Sequence, residues 1–512
     1  MPRRLANPLD SLCGDETGPV PSELIRSDAE YEDGSDLTEE HDGRRRGGAD
    51  CRWRETQQKR RRRWSRRGLA TLASCTVLVA VGMLALVWEP RTPPEPDEQT
   101  VAVARDPVVS DALANPPRHL FERLPVSERV LSLETTANEL GAERFVESMP
   151  ILRGAAGRIE PLQVRYTFET ELTRNVFKIL HNGKVALGHV ILLDPDTGRV
   201  LTYASTDIVQ FPPNKLYPAA SLVKIITAAA ALDRDPGLAK IPCRYSGSPY
   251  KLTRKSIDPP RSGHEVSLRK ALASSNNQCF AQLAVHAVGE VLLLDAISRF
   301  GWLSEPAPAH PAGSVDPGKD RYDVGRLGCG LAGAWITPLH AVQLAATLAR
   351  GELVAPHWIE GVHDADGREL LLPSHPTPRQ VMTPQLADDL RAMLTDTTLK
   401  GTARSAFRKR NGEPMLGPVQ VAGKTGSLSG TDPKGRYEWF VGVAPAERPE
   451  IAVAVLLVQS DKWWRSASQI AAEVLQGVFC EDRKCRPELV ARWVSTQTET
   501  AAVAHPERGS LH

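Results

Sequence analysis

The chain contains 512 residues, with 63 Lys and Arg residues against 62 Asp and Glu residues and a formal net charge of +1. Hydrophobic residues make up 41% of the sequence and charged residues 24%, values that are ordinary for a globular protein. This composition excludes a wholly disordered, collagen-like, coiled-coil or many-pass membrane protein. The near-neutral charge also argues against nucleic acid as a partner, because proteins that bind it carry excess cations to neutralise phosphates.

Two charged blocks dominate the beginning of the chain. Carboxylates crowd residues 28–42, where Lys and Arg are missing, and Arg and Lys crowd residues 44–67. Neither block has an apolar periodicity, so neither can bury enough surface to offset the entropy lost on ordering. We therefore predict a disordered tail over residues 1–67.

The next segment has the features of a transmembrane helix. Residues 68–88 carry no charged side chain, and a helix of that length spans about 32 Å, enough to cross a hydrocarbon core of about 30 Å. Arginines precede the segment and carboxylates dominate after it, which orients the N-terminus toward the cytoplasm. A cleaved signal peptide is disfavoured because the preceding region is too long. The sequence thus predicts a single-pass anchor with all later residues outside.

Beyond the anchor, residues 89–164 form a Pro-rich linker and a small accessory region to which no fold is assigned. The predicted globular domain covers residues 165–492, and residues 493–512 form a polar tail. Period-2 and period-3.6 patterns predict elements in this order: strands 188–194 and 199–203, helices 219–232, 267–285, 289–300, 337–348 and 384–395, strands 419–422, 439–443 and 451–458, and helix 466–479. Strands at both ends with helices between them indicate an α+β domain whose first and last strands share one antiparallel sheet.

The cysteines give weak signals. Cys480 and Cys485 are close enough in sequence to pair in an oxidising compartment, and whether they do stays open. Cys243, Cys279 and Cys329 are interpreted as small buried residues.

No metal or other cofactor is predicted. His264-Glu265 begins like the zinc motif H-E-x-x-H, but Leu268 stands where the second histidine would be.

Three short motifs follow one another along the predicted domain: Ser221-Leu-Val-Lys224, Ser274-Ser-Asn276 and Lys424-Thr425-Gly426, the last followed by Ser427. Each is weak alone, but the first opens an apolar helix, the second lies at the start of another helix and the third lies between strands. This order is the signature of serine acyl-transferases. The second motif has an alternative register, because Ser275-x-Asn277 also satisfies S-x-N; Ser274 and Asn276 are the preferred pair.

The first motif supplies a nucleophile and its base. Positions i and i+3 of a helix face the same way, so Lys224 can reach the hydroxyl of Ser221. To act as a base near neutral pH, Lys224 needs its pKa lowered from about 10.4 to about 7, a change of about 4.6 kcal/mol. Burial can supply this, and so can a second cation, for which Lys424 is the candidate.

The remaining motif residues suit substrate binding and proton transfer. The backbone N–H groups of Ser221 and Ser427 are the expected oxyanion donors. Ser274 is placed to relay a proton to a leaving amine, and Asn276 to hold the substrate amide. The charge of Lys424 and the hydroxyls of its neighbours fit a terminal carboxylate, which gives the predicted substrate-binding residues: Thr425, Gly426 and Ser427.

Over roughly residues 165–480 the chain resembles the transpeptidase domain of high-molecular-weight penicillin-binding proteins. Besides the three motifs, the resemblance rests on further segments: Gly328-Cys-Gly330, Thr337-Pro-Leu339, Gly401-Thr-Ala403, Gly423–Ser427 and Trp439-Phe-Val-Gly-Val-Ala-Pro445. It implies the penicillin-binding and β-lactamase fold, with an antiparallel sheet flanked by helices and a helical subdomain.

The resemblance implies a D,D-transpeptidase on the periplasmic face of a bacterial cytoplasmic membrane. It would cross-link peptidoglycan stem peptides ending in D-Ala-D-Ala through an acyl-enzyme on Ser221 and bind β-lactams covalently. About 75 residues separate anchor and domain, too few for a glycosyltransferase domain, so a separate glycan polymerase is the expected partner. The chain is thus monofunctional and class B-like, with a shortened pedestal. Ser427 stands where many relatives have Thr, a neutral exchange.

Two other functions stay open at this stage. The same acyl-enzyme could be hydrolysed, which would make the protein a D,D-carboxypeptidase or a β-lactamase. A non-catalytic β-lactam sensor or division scaffold is the second alternative, since a long charged tail invites partners.

Overall fold

The computed structural model describes residues 144–153, 158–364, 366–459 and 465–494. The predicted N-terminal tail, the predicted anchor at 68–88 and the predicted polar tail after residue 494 lie outside the described residues.

The strands of the described residues are β1 (Arg144–Arg153), β2 (Arg158–Glu169), β3 (Leu187–Leu193), β4 (Val200–Ser205), β5 (Tyr217–Pro218), β6 (Cys243–Tyr245), β7 (His264–Val266), β8 (Gly313–Val315), β9 (Ala334–Ile336), β10 (Glu352–Leu353), β11 (Ile359–His363), β12 (Arg379–Gln380), β13 (Ala422–Thr431), β14 (Lys434–Ala444), β15 (Ile451–Gln459), β16 (Cys480–Glu481) and β17 (Lys484–Cys485).

The α-helices are α1 (Thr170–Asn182), α2 (Val223–Arg234), α3 (Leu268–Ala273), α4 (Asn277–Gln282), α5 (Glu290–Arg299), α6 (Arg321–Gly328), α7 (Pro338–Arg350), α8 (Pro384–Leu399), α9 (Ala467–Phe479) and α10 (Ala491–Val494). A 3₁₀ turn, Ala220–Leu222, leads into α2, and a π-helical turn, Leu283–Val288, continues α4.

The central sheet has five strands in the order β13-β14-β15-β3-β4, with every neighbouring pair antiparallel. The first predicted strands, 188–194 and 199–203, therefore pair into the same sheet as the last ones, as the sequence pattern indicated. The α+β class with an antiparallel sheet flanked by helices is confirmed. Strand β13 forms one edge of the sheet, and this edge faces the functional residues described below.

Apolar side chains cover both faces of the sheet because successive residues of a strand point to opposite sides. Ile191 and Leu193 of β3 belong to the core shared with α2 and α7, whereas Val190 and Leu192 belong to the core shared with α1 and α9. Helix α9 is capped by Ser466, whose side chain accepts a hydrogen bond from Gln469 N while the Gln469 side chain accepts one from Ser466 N. This capping box fixes where the helix starts on the sheet.

The structure differs from the predicted elements at two places. The predicted domain start at residue 165 falls inside β2, which pairs with β1 on one side and β11 on the other. The predicted helix 267–285 is interrupted between α3 and α4, where Ser275 has a φ of 56°. This left-handed conformation is rare for residues other than Gly and reverses the chain direction locally. The interruption displaces the side chains of the second motif.

No single helix of the described ranges is long and apolar enough to cross a bilayer. A pair of helical segments, 277–288 and 290–299, meets the length and composition requirements together but is bent by 102°.

Because two histidines are buried in the folded protein, we expect the stability of the fold to decrease at acidic pH. Burial lowers the pKa of His189 to about 3 and the pKa of His340 to about 4, so both are neutral in the folded protein. Unfolded histidine titrates near pH 6.5, so between there and the folded pKa values the unfolded state binds more protons, and the stability of the fold falls as the pH falls. We expect denaturant titrations to show a loss of about 2 kcal/mol per histidine between pH 7 and pH 5. His340→Gln should reduce the loss of stability between pH 7 and pH 5. An unchanged dependence of stability on pH in this variant would contradict the role assigned to His340.

Candidate active site

The hydroxyl of Ser221 lies in the 3₁₀ turn at the start of α2, against the edge of the sheet. Ala220, immediately before it, has a φ of 49°, a strained conformation of the kind that clusters at functional sites. Gly426 of β13 packs against this turn: a Cβ placed on it would lie 3.3 Å from Ala220 Cβ and 3.4 Å from Ser221 N. The backbone N–H of Ser221 is thus held beside the edge strand.

Lys224 is fully buried one helical turn after Ser221. Its Nζ donates to Ser221 Oγ at 2.7 Å, to Asn277 Oδ1 at 2.8 Å and to the carbonyl oxygen of Cys329 at 2.7 Å. Burial lowers the pKa of Lys224 to about 8. A substantial neutral fraction near physiological pH follows, in a position to accept the proton of Ser221.

Lys424 is also fully buried, at the start of β13. Its Nζ donates to Ser275 Oγ at 2.9 Å and to the carbonyl oxygen of Thr425 at 2.8 Å. Burial first, and then the charge of Lys224, hold the pKa of Lys424 well below its ordinary value. The predicted influence of Lys424 on Lys224 is not what lowers the pKa of Lys224, for which burial is the cause.

The preferred register of the second motif is wrong by one residue. Ser274 Oγ donates to the carbonyl oxygen of Lys270 in the preceding turn of α3. The side chain of Asn276 accepts from Cys279 N and caps α4. Neither residue lines the cleft at Ser221, whereas Ser275 and Asn277 do.

The physical reason is the left-handed residue between the two helices. With Ser275 at positive φ, its hydroxyl turns to Lys424 Nζ while the side chain of Asn277 turns to Lys224. The sequence signal was present, since Ser275-x-Asn277 was the alternative register, but helical periodicity alone cannot reveal a reversal at one residue.

The third motif forms the other wall of a cleft of about 530 Å³, which is lined among others by Ser221, Ser275, Asn277, Thr402, Thr425 and Ser427. Thr425 Oγ1 lies 2.6 Å from Thr402 Oγ1, and Ser427 Oγ accepts from Arg436 Nε at 2.7 Å. Gly426 lies between them on the strand. The structure thus brings the predicted substrate-binding residues together with Ser221, Lys224 and Lys424.

Sequence reasoning missed three contributors to this wall and floor. Thr402 belongs to the Gly401-Thr-Ala403 segment, which offered a signal, although no role was assigned to it. Cys329 likewise belongs to the Gly328-Cys-Gly330 segment, but the contact of its carbonyl with Lys224 depends on chain segments that meet only in the folded domain. The guanidinium of Arg436 has no recognisable sequence signal.

Two disulfides join cysteines of the described residues. Cys480 pairs with Cys485, the pairing that the spacing allowed. Cys243 pairs with Cys279, so the prediction that both are simple buried residues is wrong. This second crosslink joins β6 to α4, the short helix that carries Asn277. Among the cysteines within these ranges, Cys329 is free and buried.

Gly330 packs closely against the turn that carries Ser221, and this packing can be tested by comparing two glycine substitutions. Its φ is 73°, and a Cβ would overlap the carbonyl oxygen of Ala220. We expect Gly330→Ala to lower the free energy of unfolding by about 3 kcal/mol, since the overlap adds to the backbone strain. Gly412 has a φ of 83° with nothing within 4 Å of its Cβ position, so Gly412→Ala should cost only about 1 kcal/mol. If urea titrations showed equal decreases in the free energy of unfolding for Gly330→Ala and Gly412→Ala, the overlap with Ala220 would be contradicted.

Known relatives are similar to this chain over the same domain. Two proteins named peptidoglycan D,D-transpeptidase PbpA are 28% identical over 314 residues (Mycolicibacterium smegmatis) and 27% identical over 336 residues (Mycobacterium tuberculosis). These matches cover 53% and 57% of this chain. They cover 61% and 66% of the relatives, so the chain spans less than two thirds of either.

A solved structure shares the fold. The imipenem acyl-enzyme complex of penicillin-binding protein A from Mycobacterium tuberculosis matches with a TM-score of 0.51 and 21% identity. The match covers 68% of this chain and 84% of that one. The family model described as the penicillin binding protein transpeptidase domain matches residues 188–478, more than half of the sequence. The chain therefore belongs to the penicillin-binding protein transpeptidase family.

Proposed function

We propose that this protein is a membrane-anchored peptidoglycan D,D-transpeptidase that cross-links stem peptides through an acyl-enzyme on Ser221. The observation that carries the proposal is the buried Lys224, with a pKa lowered to about 8 and its Nζ 2.7 Å from Ser221 Oγ. Family membership and the activity named for the two relatives support it.

In the first step Lys224 accepts the proton of Ser221 as the hydroxyl oxygen attacks the carbonyl of the penultimate D-Ala. The backbone N–H groups of Ser221 and Ser427 are the proposed oxyanion donors. Edge strand β13 supports this assignment, since the backbone of an edge strand is unpaired on one side. The C–N bond then breaks, and the proton taken up by Lys224 is relayed to the leaving amine through Ser275, whose hydroxyl accepts from Lys424.

In the second step an amine of another stem peptide attacks the ester. The new C–N bond forms, the C–O bond to Ser221 breaks, and the proton lost by the amine returns to the Ser221 oxygen. The terminal carboxylate of the donor is assigned to the wall formed by Thr425 and Ser427. A β-lactam would enter as a mimic of the donor and acylate Ser221, just as imipenem forms an acyl-enzyme with penicillin-binding protein A from Mycobacterium tuberculosis.

The anchoring part of the proposal rests on sequence. The uncharged segment 68–88 and its flanking charges support an N-in, single-pass topology in a bacterial cytoplasmic membrane, with the domain on the periplasmic face. The proposal includes a separate glycan polymerase, because the interval 89–164 is too short for a polymerising domain.

The test is the intact mass of the full chain after incubation with penicillin, wild type beside Ser221→Ala. We expect a stable adduct of one drug mass on wild type and none on the variant. Adducts on both proteins, or on neither, would refute Ser221 as the nucleophile. An adduct that disappears within seconds would instead favour a β-lactamase, and release of D-Ala without cross-linking in the presence of an amine would favour a carboxypeptidase.

A further inference from the structure

A second groove lies beside the cleft described above. Ser405 and Ala406 line both cavities, so the two lie next to each other. The second one has a volume of about 700 Å³, and five cations and one carboxylate contribute to its lining: Arg408, Lys409, Arg410, Arg465, Arg483 and Glu473. We name it the basic groove.

Part of this positive charge is uncompensated. Arg465 Nε lies 3.0 Å from a Glu473 oxygen, and Lys409 Nζ lies 3.4 Å from Glu413, outside the lining. The exposed guanidinium groups of Arg410 and Arg483 make no hydrogen bond or ion pair with any other residue that the structure describes. Cations that converge on a concave surface without partners attract an anionic ligand.

Arg483 is held in place by a constrained hairpin. Strands β16 and β17 are joined by Asp482 and Arg483, with φ values of 49° and 64°, and the Cys480–Cys485 disulfide closes the hairpin. Two consecutive non-glycine residues in the left-handed region cost about 1 kcal/mol or more each. The crosslink holds the turn in this conformation, which keeps Arg483 at the groove.

The position of the basic groove beside the cleft indicates which of the two substrates, the donor or the acceptor, would reach it. Thr402, whose hydroxyl lies 2.6 Å from that of Thr425, begins the segment that runs on to Arg408 and Arg410. In the proposed reaction the wall at Thr425 holds the terminal residue of the donor, whose amine is the leaving group. The incoming amine must approach the acyl carbonyl from the side that the leaving amine vacates. The basic groove therefore lies next to the side of the cleft from which the acceptor would approach.

We propose that the basic groove binds the acceptor through carboxylate groups, which makes an amine that also carries carboxylates the preferred acceptor. This inference rests on the proposed transpeptidase function. In the transfer step the acceptor N–C bond forms, the Ser221 O–C bond breaks, and the amine proton returns to Ser221. The groove contributes affinity and orientation for the acceptor and no chemical step.

The test uses the full chain in detergent with an N-acyl-D-alanine thioester as donor. Two peptide acceptors share a free glycyl amine and three glycines, and end in glutamate or in its diamide. The measured quantity is the ratio of their half-saturation concentrations, carboxylate acceptor over amide acceptor, with products identified by mass. Wild type is compared with Arg410→Glu/Arg483→Glu and with Lys484→Glu, a control in the same hairpin outside the groove lining.

We expect the ratio to rise about tenfold in the double variant, because attraction becomes repulsion, and to stay within about twofold in the control. A ratio that is unchanged in the double variant, or that rises equally in the control, overturns the proposal. So does a wild-type acyl-enzyme that is hydrolysed without transfer to either acceptor. Failure of the thioester to acylate wild type at all overturns the proposed function, and this inference with it.

Discussion

Lys224→Met is expected to lower the rate of acylation by penicillin about 10³-fold or more. The variant removes the only base within hydrogen-bond distance of Ser221 Oγ among the described residues, and general-base catalysis contributes about 10²–10⁴ by itself. It also leaves Asn277 Oδ1 and the Cys329 carbonyl without their buried donor. The measurement is the time course of adduct mass. Lys178→Met, an exposed change on α1, is the control and should acylate at the wild-type rate.

The pH profile of the wild-type protein tests the same assignment. Because the neutral amine is the active form and the pKa of Lys224 is lowered to about 8, the acylation rate should rise with pH up to about 8 and level off above it. A profile that is flat from pH 6 to pH 9 would contradict Lys224 as the base, and so would a Lys224→Met variant that acylates at close to the wild-type rate.

Ser275→Ala is expected to slow acylation by about 10²-fold, whereas Ser274→Ala should change it less than about threefold. The hydroxyl of Ser275 accepts from Lys424 in the cleft, and its loss removes the proposed proton path to the leaving group. The hydroxyl of Ser274 is bonded to the carbonyl of Lys270 and faces away from the reaction. Acylation rates by intact mass, wild type beside each variant, measure the difference.

The neighbouring asparagines give an independent check of the register. Asn277→Ala should impair acylation because Asn277 contacts Lys224 directly. Asn276→Ala should instead lower the stability of the fold by about 1 kcal/mol, the usual cost of losing a helix N-cap. If the Ser274 and Asn276 variants were the catalytically impaired pair, the register assigned from the structure would be wrong.

Much of the fold could be predicted because its patterns are local. The antiparallel hairpin at residues 187–205 follows from two apolar runs around an Asp-Thr-Gly turn, and the predicted helix start at Ser466 coincides with the cap of α9. The partnership of Ser221 and Lys224 is equally local, since a helix places residues three apart on one face.

The class of fold, the nucleophile with its base, and the strand that forms the opposite wall could therefore all be predicted from local patterns. Other features emerge only in the folded domain: which of two overlapping serine–asparagine pairs enters the cleft, and that burial rather than a second cation lowers the pKa of Lys224. The Cys243–Cys279 disulfide and the position of the basic groove beside the cleft also emerge only there. The physical reason is common to all four. A single left-handed residue, the depth of burial and contacts between distant segments leave no periodic trace along the chain.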